Sequence, residues 1–144
     1  MKLQAAQIAV TPFQQNCALI WDAETGRGTV IDPGGDAPRI LAAIERARCR
    51  VDHILLTHGH LDHAGGAAEL KRALGVPILG PDRRDEVLLN GIAAQAAQYG
   101  LDGMEDCAPD RWLAEGESVE IAGVPFDVLH CPGRAIQPGH LPAS

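Results

Sequence analysis

Apolar residues follow strand and helix periods in turn along the first half of the chain. Short apolar runs predict strands at residues 7–10, 17–21, 29–31, 51–56 and 76–79. Residues 40–47 carry an apolar stripe at helical spacing, and Asp36 and Pro38 before it are residue types that favour a helix start. A second helix is predicted over residues 67–74, where Gly75 ends the pattern.

The second half combines a longer helical region with a final pair of strands. Predicted there are a helix over residues 82–99 broken near Gly91, a loop over 101–109, and strands at 118–121 and 125–129. Beyond His130 the chain is rich in proline and glycine and has no apolar period. Strands alternating with helices predict a layered α/β fold, in which catalytic groups tend to lie on loops at strand ends.

Composition supports a globular domain and excludes several functional classes. A length of 144 residues favours one domain, and 46% apolar with 22% charged residues is typical of that class. The formal net charge of −7 and the lack of a basic run argue against nucleic-acid binding. No run approaches the roughly 20 apolar residues of a membrane span. The first ten residues make a poor signal peptide, so a cytoplasmic location is expected.

The cysteines are too widely spaced to form a sulfur-ligated metal site. They are Cys17, Cys49, Cys107 and Cys131, and none belongs to a C-x-x-C pair. In a cytosolic chain they are expected to stay reduced and to act as small buried hydrophobes. The chemistry of the chain is therefore expected among its histidines and carboxylates.

Four potential metal ligands follow the strand at 51–56 within six consecutive positions. Alternate side chains of an extended segment share a face, so His58, His60 and Asp62 are expected to point the same way. His63 is expected to turn with the chain as a helix begins. Imidazole nitrogen and carboxylate oxygen suit zinc, and also iron or manganese. The loop can hold one ion or two, the first on His58 and His60, the second on Asp62 and His63.

Residues outside the loop complete the predicted site. His130 ends a strand much as His58 follows an earlier one, and is the natural third ligand of the first ion. Asp32 also ends a strand, and is expected to accept a hydrogen bond from a ligand histidine or to fix the loop. His53, placed before its strand, and His140, in a tail without pattern, are not expected to bind metal.

These motifs resemble those of a known enzyme family. Residues 57–63, with the sequence THGHLDH, are similar to the HxHxDH motif of the metallo-β-lactamase superfamily. Residues 32–35 and 130–133 resemble the strand-end motif and the third-histidine segment of its glyoxalase II-like members. Residues 11–17 and 109–113 are similar to segments of small, single-domain, hydroxyacylglutathione hydrolase-like proteins of bacteria.

The resemblance covers residues 1–133 and implies the αββα sandwich of that superfamily, of which this chain would hold the first half. The implied ligands are His58, His60 and His130 for a first ion, and Asp62 and His63 for a second. Asp62 is also the implied catalytic residue, because it would orient the attacking water.

The end of the chain departs from the family pattern. The family continues after the third-histidine segment with a second αβ half that carries a metal-bridging aspartate, whereas residues 134–144 form a divergent tail that is expected to be irregular. A truncation or a frameshift near residue 134 would produce this pattern. We then expect about one tightly bound ion per chain, and self-association through an uncovered sheet face.

The resemblance implies a zinc-dependent hydrolase of small-molecule thioesters such as hydroxyacylglutathione, in which water activated by a divalent ion attacks the carbonyl carbon. Two alternatives stay open. One is an iron-dependent persulfide (sulfur) dioxygenase of the same fold, and the other is a non-catalytic metal-binding remnant. Neither nucleic acid nor a membrane is expected as a partner.

Overall fold

The computed structural model describes residues 2–10, 15–101, 103–131 and 134–138, with side chains up to residue 128 except those of residues 15 and 16. Its strands are β1 (Leu3–Val10), β2 (Gln15–Asp22), β3 (Arg27–Ile31), β4 (Arg50–Leu55), β5 (Ile78–Leu79), β6 (Ser118–Ile121), β7 (Val124–Cys131) and β8 (Arg134–Pro138). Its helices are α1 (Ala37–Ala47), α2 (Leu61–Ala64), α3 (Ala67–Leu74), α4 (Glu86–Leu89) and α5 (Ile92–Gln98), with a 3₁₀ turn at Arg83–Asp85. Each predicted strand and helix occurs in the predicted order, and the structure adds a 3₁₀ turn and the strand β8.

The strands form two sheets. The larger sheet has the order β1-β2-β3-β4-β5, and the smaller one has the order β6-β7-β8. β3, β4 and β5 run parallel, whereas the other pairs are antiparallel. Parallel strands end at one edge of a sheet, so Asp32, Thr57 and Gly80, which follow β3, β4 and β5, come to the same edge.

Two cores lie on opposite faces of the larger sheet. Val30 and Ile54 face a first core that α1 and α3 cover, whereas Ile31 and Leu55 face a second core shared with β6 and β7. Side chains of a strand point alternately to its two faces, so consecutive apolar residues fill both cores. The described residues therefore form three layers: helices, a five-stranded sheet and a three-stranded sheet.

The predicted ends of α1 and α3 are confirmed, but not every capping mechanism is. Asp36 occupies the N-cap of α1 with a left-handed backbone (φ 49°), and its side chain makes no capping hydrogen bond. Asp tolerates this conformation better than most residues, and Pro38 supplies a helical φ in the first turn. Gly75 ends α3 at φ 70°, and its N–H bonds to the carbonyl of Lys71.

The placement of His53 before its strand is wrong. His53 lies inside β4, opposite Thr29 of β3, and only 8% of it is exposed. The register between these strands shifts at Gly28 and Thr29, so Asp52 has no partner in the pairing. The predicted range of 51–56 already included His53, so the error lay in its placement relative to the apolar centre of the strand.

The end of the chain is more regular than predicted. β7 continues through His130 to Cys131 and pairs with β8, which occupies residues 134–138 of the segment expected to be irregular. Backbone hydrogen bonds between antiparallel strands hold β8, and these bonds require no apolar period in the sequence. The domain boundary at residue 133 stays a prediction.

The outward face of the smaller sheet is polar where its side chains are described. The exposed residues on that face of β6 and β7 are Ser118, Glu120, Pro125 and Asp127. Self-association through this sheet stays a prediction, and these side chains supply no apolar patch for it.

None of the helices in the described part of the chain is long and apolar enough to cross a membrane.

Candidate metal centre

The predicted metal loop lies at the carboxyl end of β4, beside the turn that follows β3. Asp32 begins that turn with a left-handed backbone (φ 55°), and its N–H bonds to the carbonyl of Leu55 at 2.9 Å. This bond ties the two strand ends together directly under the loop. Asp32 is 8% exposed, and its carboxylate points at the residues that follow β4.

Asp32 accepts three hydrogen bonds from the loop and from α2. Thr57 donates its N–H to Oδ1 at 2.8 Å and its hydroxyl to Oδ2 at 2.5 Å. Nδ1 of His63 lies 3.1 Å from the same Oδ2. The hydroxyl oxygen of Thr57 also lies 2.9 Å from Nδ1 of His58. One buried carboxylate therefore orients two imidazoles, one directly and one through Thr57.

These contacts fix which ring nitrogens carry hydrogen. A carboxylate only accepts, so the proton between His63 and Asp32 lies on Nδ1 of His63. The Thr57 hydroxyl donates its one hydrogen to Asp32, so it can only accept a hydrogen bond from His58. Nδ1 of His58 is therefore also a donor. In each neutral ring Nε2 is then free to bind a cation, as in the carboxylate–histidine pairs of metal sites.

The same contact affects the protonation of His63. Its hydrogen bond to Asp32 raises the pKa of His63, with the charges of Asp32 and Asp62 acting in the same direction and burial opposing them. The negative electrostatic potential that favours a proton on this ring also favours a divalent cation beside it.

The loop is not extended throughout, which corrects the predicted common face. Helix α2 begins at Leu61, so Asp62 belongs to a helical turn and not to the extended segment. The ring centroids of His58 and His63 lie 4.9 Å apart, whereas those of His58 and His60 lie 6.2 Å apart. The helical turn thus brings the first and last histidines of the motif closer than the alternating pair.

Potential ligand atoms of Asp32, His58 and His63 all lie within 4.8 Å of one another. Asp32 nevertheless suits an orienting role better than a ligand role, because both of its oxygens already accept hydrogen bonds. The donors that remain are imidazole nitrogens and, 4.0 Å from Nε2 of His63, the carboxylate of Asp62. This mixture of nitrogen and oxygen donors fits zinc, iron or manganese.

The predicted ligand His130 and the remaining histidine of the tail, His140, both lie beyond the described side chains. His130 has a described backbone within β7 but no described side chain, so its ligand role stays a prediction. His140 lies outside the described residues altogether. Two buried cysteines are poor alternative donors, because burial raises the pKa of Cys17 to about 12 and that of Cys107 to about 11 and so favours the neutral thiol.

A cleft of about 200 Å³ opens beside the loop. It is lined by His60, Leu61 and Asp62 on one side and by Gln95 and Tyr99 of the α5 region on the other. Helix α2 packs against both α4 and α5, and the α5 region forms this wall. The cleft gives a small molecule access to the exposed His60 and the partly exposed Asp62.

The sequence did not identify three of these residues. Thr57 was noted only as part of a motif, although a hydroxyl next to the first histidine is a signal that could have been used. Gln95 and Tyr99 have the i, i+4 spacing of one helix face, but nothing in their types points to a metal loop more than 30 residues earlier.

Comparison with known proteins shows which protein family the chain resembles. The sequence model of the metallo-β-lactamase superfamily matches residues 10–141. Hydroxyacylglutathione hydrolase GloC of Haemophilus influenzae is 45% identical over 135 residues, which make up 93% of this chain and 62% of that protein. The chain thus spans less than two thirds of the length of this relative.

Solved structures share the fold. The B3 metallo-β-lactamase BLEG-1 is similar with a TM-score of 0.78 and 25% identity, over 92% of this chain and 65% of that one. TTHA1623, in a di-iron-bound form, is similar with a TM-score of 0.73 and 33% identity, over 87% of this chain and 60% of that one. The layered fold and the match of the superfamily's sequence model lead to one conclusion: this chain belongs to the metallo-β-lactamase superfamily.

Proposed function

We propose that this chain carries the metal-binding part of a hydrolase that cleaves thioesters such as hydroxyacylglutathione. The observation that carries the proposal is the hydrogen-bonded group of Asp32, Thr57, His58 and His63, which leaves two imidazole Nε2 atoms free. Two other members of the same motif, His60 and Asp62, line an open cleft. Ring nitrogens held in this way are prepared for a metal before it arrives.

The proposed ligands come from the loop and from β7. They are His58, His60 and His130 for a first ion, and Asp62 and His63 for a second. A divalent ion, when bound, supplies Lewis acidity and lowers the pKa of water to about 7. Asp62 lines the cleft, and about one third of its side chain is exposed, so it can accept a hydrogen bond from water and orient that water towards a carbonyl carbon.

The substrate class rests on relatives. Hydroxyacylglutathione hydrolase GloC is 45% identical to this chain, and a thioester suits a site without a strong general acid because a thiolate leaves readily. Both zinc and iron fit the proposed site, since nitrogen and oxygen donors bind either ion and TTHA1623 is known in a di-iron-bound form.

The test uses the full chain, freed of metal and reloaded with zinc. We expect it to release glutathione thiol from lactoylglutathione, and we expect Asp62→Ala to lower kcat about 10²-fold or more. Asp22→Ala is a matched control, because Asp22 accepts a backbone hydrogen bond from Glu24 at the end of β2, at the opposite edge of the sheet from the metal loop. Wild-type rates equal to the zinc-free background contradict the proposal, and an unchanged kcat for Asp62→Ala removes Asp62 from the mechanism.

Metal content separates the alternatives. Iron in protein purified without added metal, together with oxygen uptake on glutathione persulfide, would favour the dioxygenase. Tight zinc binding without turnover of either substrate would favour a non-catalytic metal-binding chain.

A further inference from the structure

A carboxylate outside the motif contacts the metal loop between its first two histidines. Oδ2 of Asp85 lies 2.8 Å from the N–H of Gly59, which donates to it. Asp85 occupies the N-cap of α4, yet its side chain makes no capping hydrogen bond. Helix capping is the usual reason for an aspartate at this position, so the contact with the loop is the alternative role that the geometry offers.

Gly59 is pressed against the segment that carries Asp85. A β-carbon added to Gly59 would lie 2.8 Å from Cβ of Asp85, 2.9 Å from its carbonyl oxygen and 3.3 Å from Cβ of Leu88. Gly59 is buried, whereas the neighbouring His60 is exposed. The loop therefore contacts the 3₁₀ turn and α4 at Gly59, which lies between His58 and His60 in the chain.

The segment beneath the loop is itself fixed. The N–H of Asp85 bonds to the carbonyl of Asp82 at 3.0 Å, and the carboxylate of Asp82 accepts the N–H of Arg84 at 2.9 Å. Leu89, four residues after Asp85, is fully buried in the first core. Asp85 thus connects a flexible glycine to a part of the molecule that has little freedom to move.

We propose that Asp85 is a positioning residue that sets the separation of His58 and His60 for a divalent ion. The proposal rests on the metal-binding role of the loop given above. Glycine has the widest backbone freedom of any residue, so a loop with Gly59 at its centre needs an external contact to hold two ligands in register. Without the carboxylate, the buried N–H of Gly59 loses its partner and the loop relaxes to satisfy it.

The test measures zinc affinity of the metal-free full chain by competition with a chromophoric chelator. We expect Asp85→Ala to weaken zinc binding about 10- to 100-fold, the usual effect of losing a group that orients ligands. Asp85→Asn keeps a carbonyl oxygen that can accept the same N–H, so its affinity should stay within about threefold of wild type. Asp22→Ala again serves as the control, because it removes a carboxylate–backbone bond of similar length, 2.9 Å, at the opposite edge of the sheet.

Three outcomes decide the matter. Zinc affinity of Asp85→Ala equal to wild type, while His58→Ala loses binding, overturns the role of Asp85 alone. Equal losses in Asp85→Asn and Asp85→Ala also overturn it, since charge and not the hydrogen bond would then be responsible. A wild-type chain that binds no zinc, or a His58→Ala variant that binds as wild type does, overturns the metal loop itself. Circular dichroism of each metal-free variant identifies any that fails to fold, and Asp85→Asn then carries the comparison.

Discussion

Asp32 acts on two imidazoles that lie 26 and 31 residues away in the chain. It reaches His63 directly and His58 through the hydroxyl of Thr57, so one buried charge sets the orientation of both rings. Its left-handed backbone costs some conformational energy, and non-glycine residues in this region cluster at functional sites. At the scale of single residues, the orientation of the imidazoles therefore depends on the hydrogen bonds to Asp32 as much as on the loop that carries the ligands.

The sequence predicted the loop histidines and the role of Asp32 more readily than it could predict Thr57 or Asp85. Closely spaced histidines after an apolar run are a dense local pattern, and Asp32 stands at a strand end. Asp85, in contrast, lies in a run of charged residues where a solvated surface is the ordinary interpretation. Its contact with Gly59 spans 26 residues and depends on how the 3₁₀ turn packs, which no local pattern specifies.

His53 supports a prediction on pH. It lies between the sheets, and its Nε2 has no hydrogen-bond partner among the described residues. Burial lowers the pKa of His53 and the charge of Arg27 acts in the same direction, while Asp52 and Glu120 oppose the shift. The folded chain therefore binds fewer protons here than the unfolded chain does. The stability that His53 contributes is complete above the unfolded pKa, about 6.5, and declines as the pH falls below it.

The raised pKa of His63 acts in the opposite direction, so the prediction concerns the difference between two proteins. Between about pH 7.5 and about pH 5.5, we expect the metal-free wild-type chain to lose more free energy of unfolding than His53→Leu loses. Urea titrations of both proteins at each pH measure the difference. All other titratable groups are common to the two, so their contributions cancel. Parallel pH profiles would show that the proton on His53 has no linkage to folding.

At the scale of elements, the metal site depends on how closely α2 approaches the turn after β3. A β-carbon added to Gly34 would overlap the backbone carbonyl oxygen of Asp62, and one added to Gly65 would lie 2.7 Å from the carbonyl oxygen of Gly34. Two glycines thus let the helix that carries Asp62 and His63 lie directly against the strand end that carries Asp32. The contact joins backbone to backbone, so side-chain rotation cannot relieve any crowding there.

Gly34→Ala is expected to displace α2 and to weaken both folding and metal binding. The free energy of unfolding should fall by roughly 1–3 kcal/mol, as overpacking usually costs. Zinc affinity should fall with it, because Asp62 and His63 move with the helix. Chelator competition and urea unfolding measure the two effects.

Gly91→Ala is the control for that substitution, since its β-carbon would meet nothing closer than 3.6 Å. Gly91 precedes α5, where alanine is a poorer N-cap than glycine, so a loss of up to about 1 kcal/mol is expected. Its zinc affinity should match wild type. If Gly34→Ala also binds zinc as wild type does, close contact between α2 and the turn is not required by the site.

The order of elements was predictable because apolar spacing differs between strands and helices, and because Gly75 and Gly91 interrupt the helical pattern where α3 ends and α4 gives way to α5. Pairing of strands was less accessible. β8 is held by its backbone partners in β7, and the shift in register that pairs His53 with Thr29 depends on how β3 lies against β4. Such features depend on residues distant in sequence, so local periodicity cannot reveal them.

At the scale of the whole molecule, the larger sheet has apolar side chains on both faces, whereas the smaller sheet is apolar only towards the second core among its described residues. Leu55 faces that second core, while Leu56, the next residue, faces the first and immediately precedes Thr57. The metal loop is therefore anchored by residues that pack in opposite directions. This explains why a loop with three exposed or partly exposed histidines can keep a defined shape.

The charge of the whole site leads to a prediction on metal stoichiometry. Two divalent ions bring four positive charges, whereas the described loop offers the carboxylate of Asp62, and that of Asp32 is already engaged in three hydrogen bonds. A first ion held by neutral imidazoles is a familiar zinc arrangement. A second ion would rely on Asp62 and His63 without a further anion to offset its charge.

We therefore expect zinc titration of the metal-free chain to show one tight equivalent and a second that binds about 10²-fold more weakly. Elemental analysis after dialysis should then find about one zinc per chain. His63→Ala distinguishes the two sites, because it should remove the weak equivalent while leaving most of the tight one. Two tight ions in the wild-type chain would contradict this prediction and would mean that another anionic group of the chain reaches the loop.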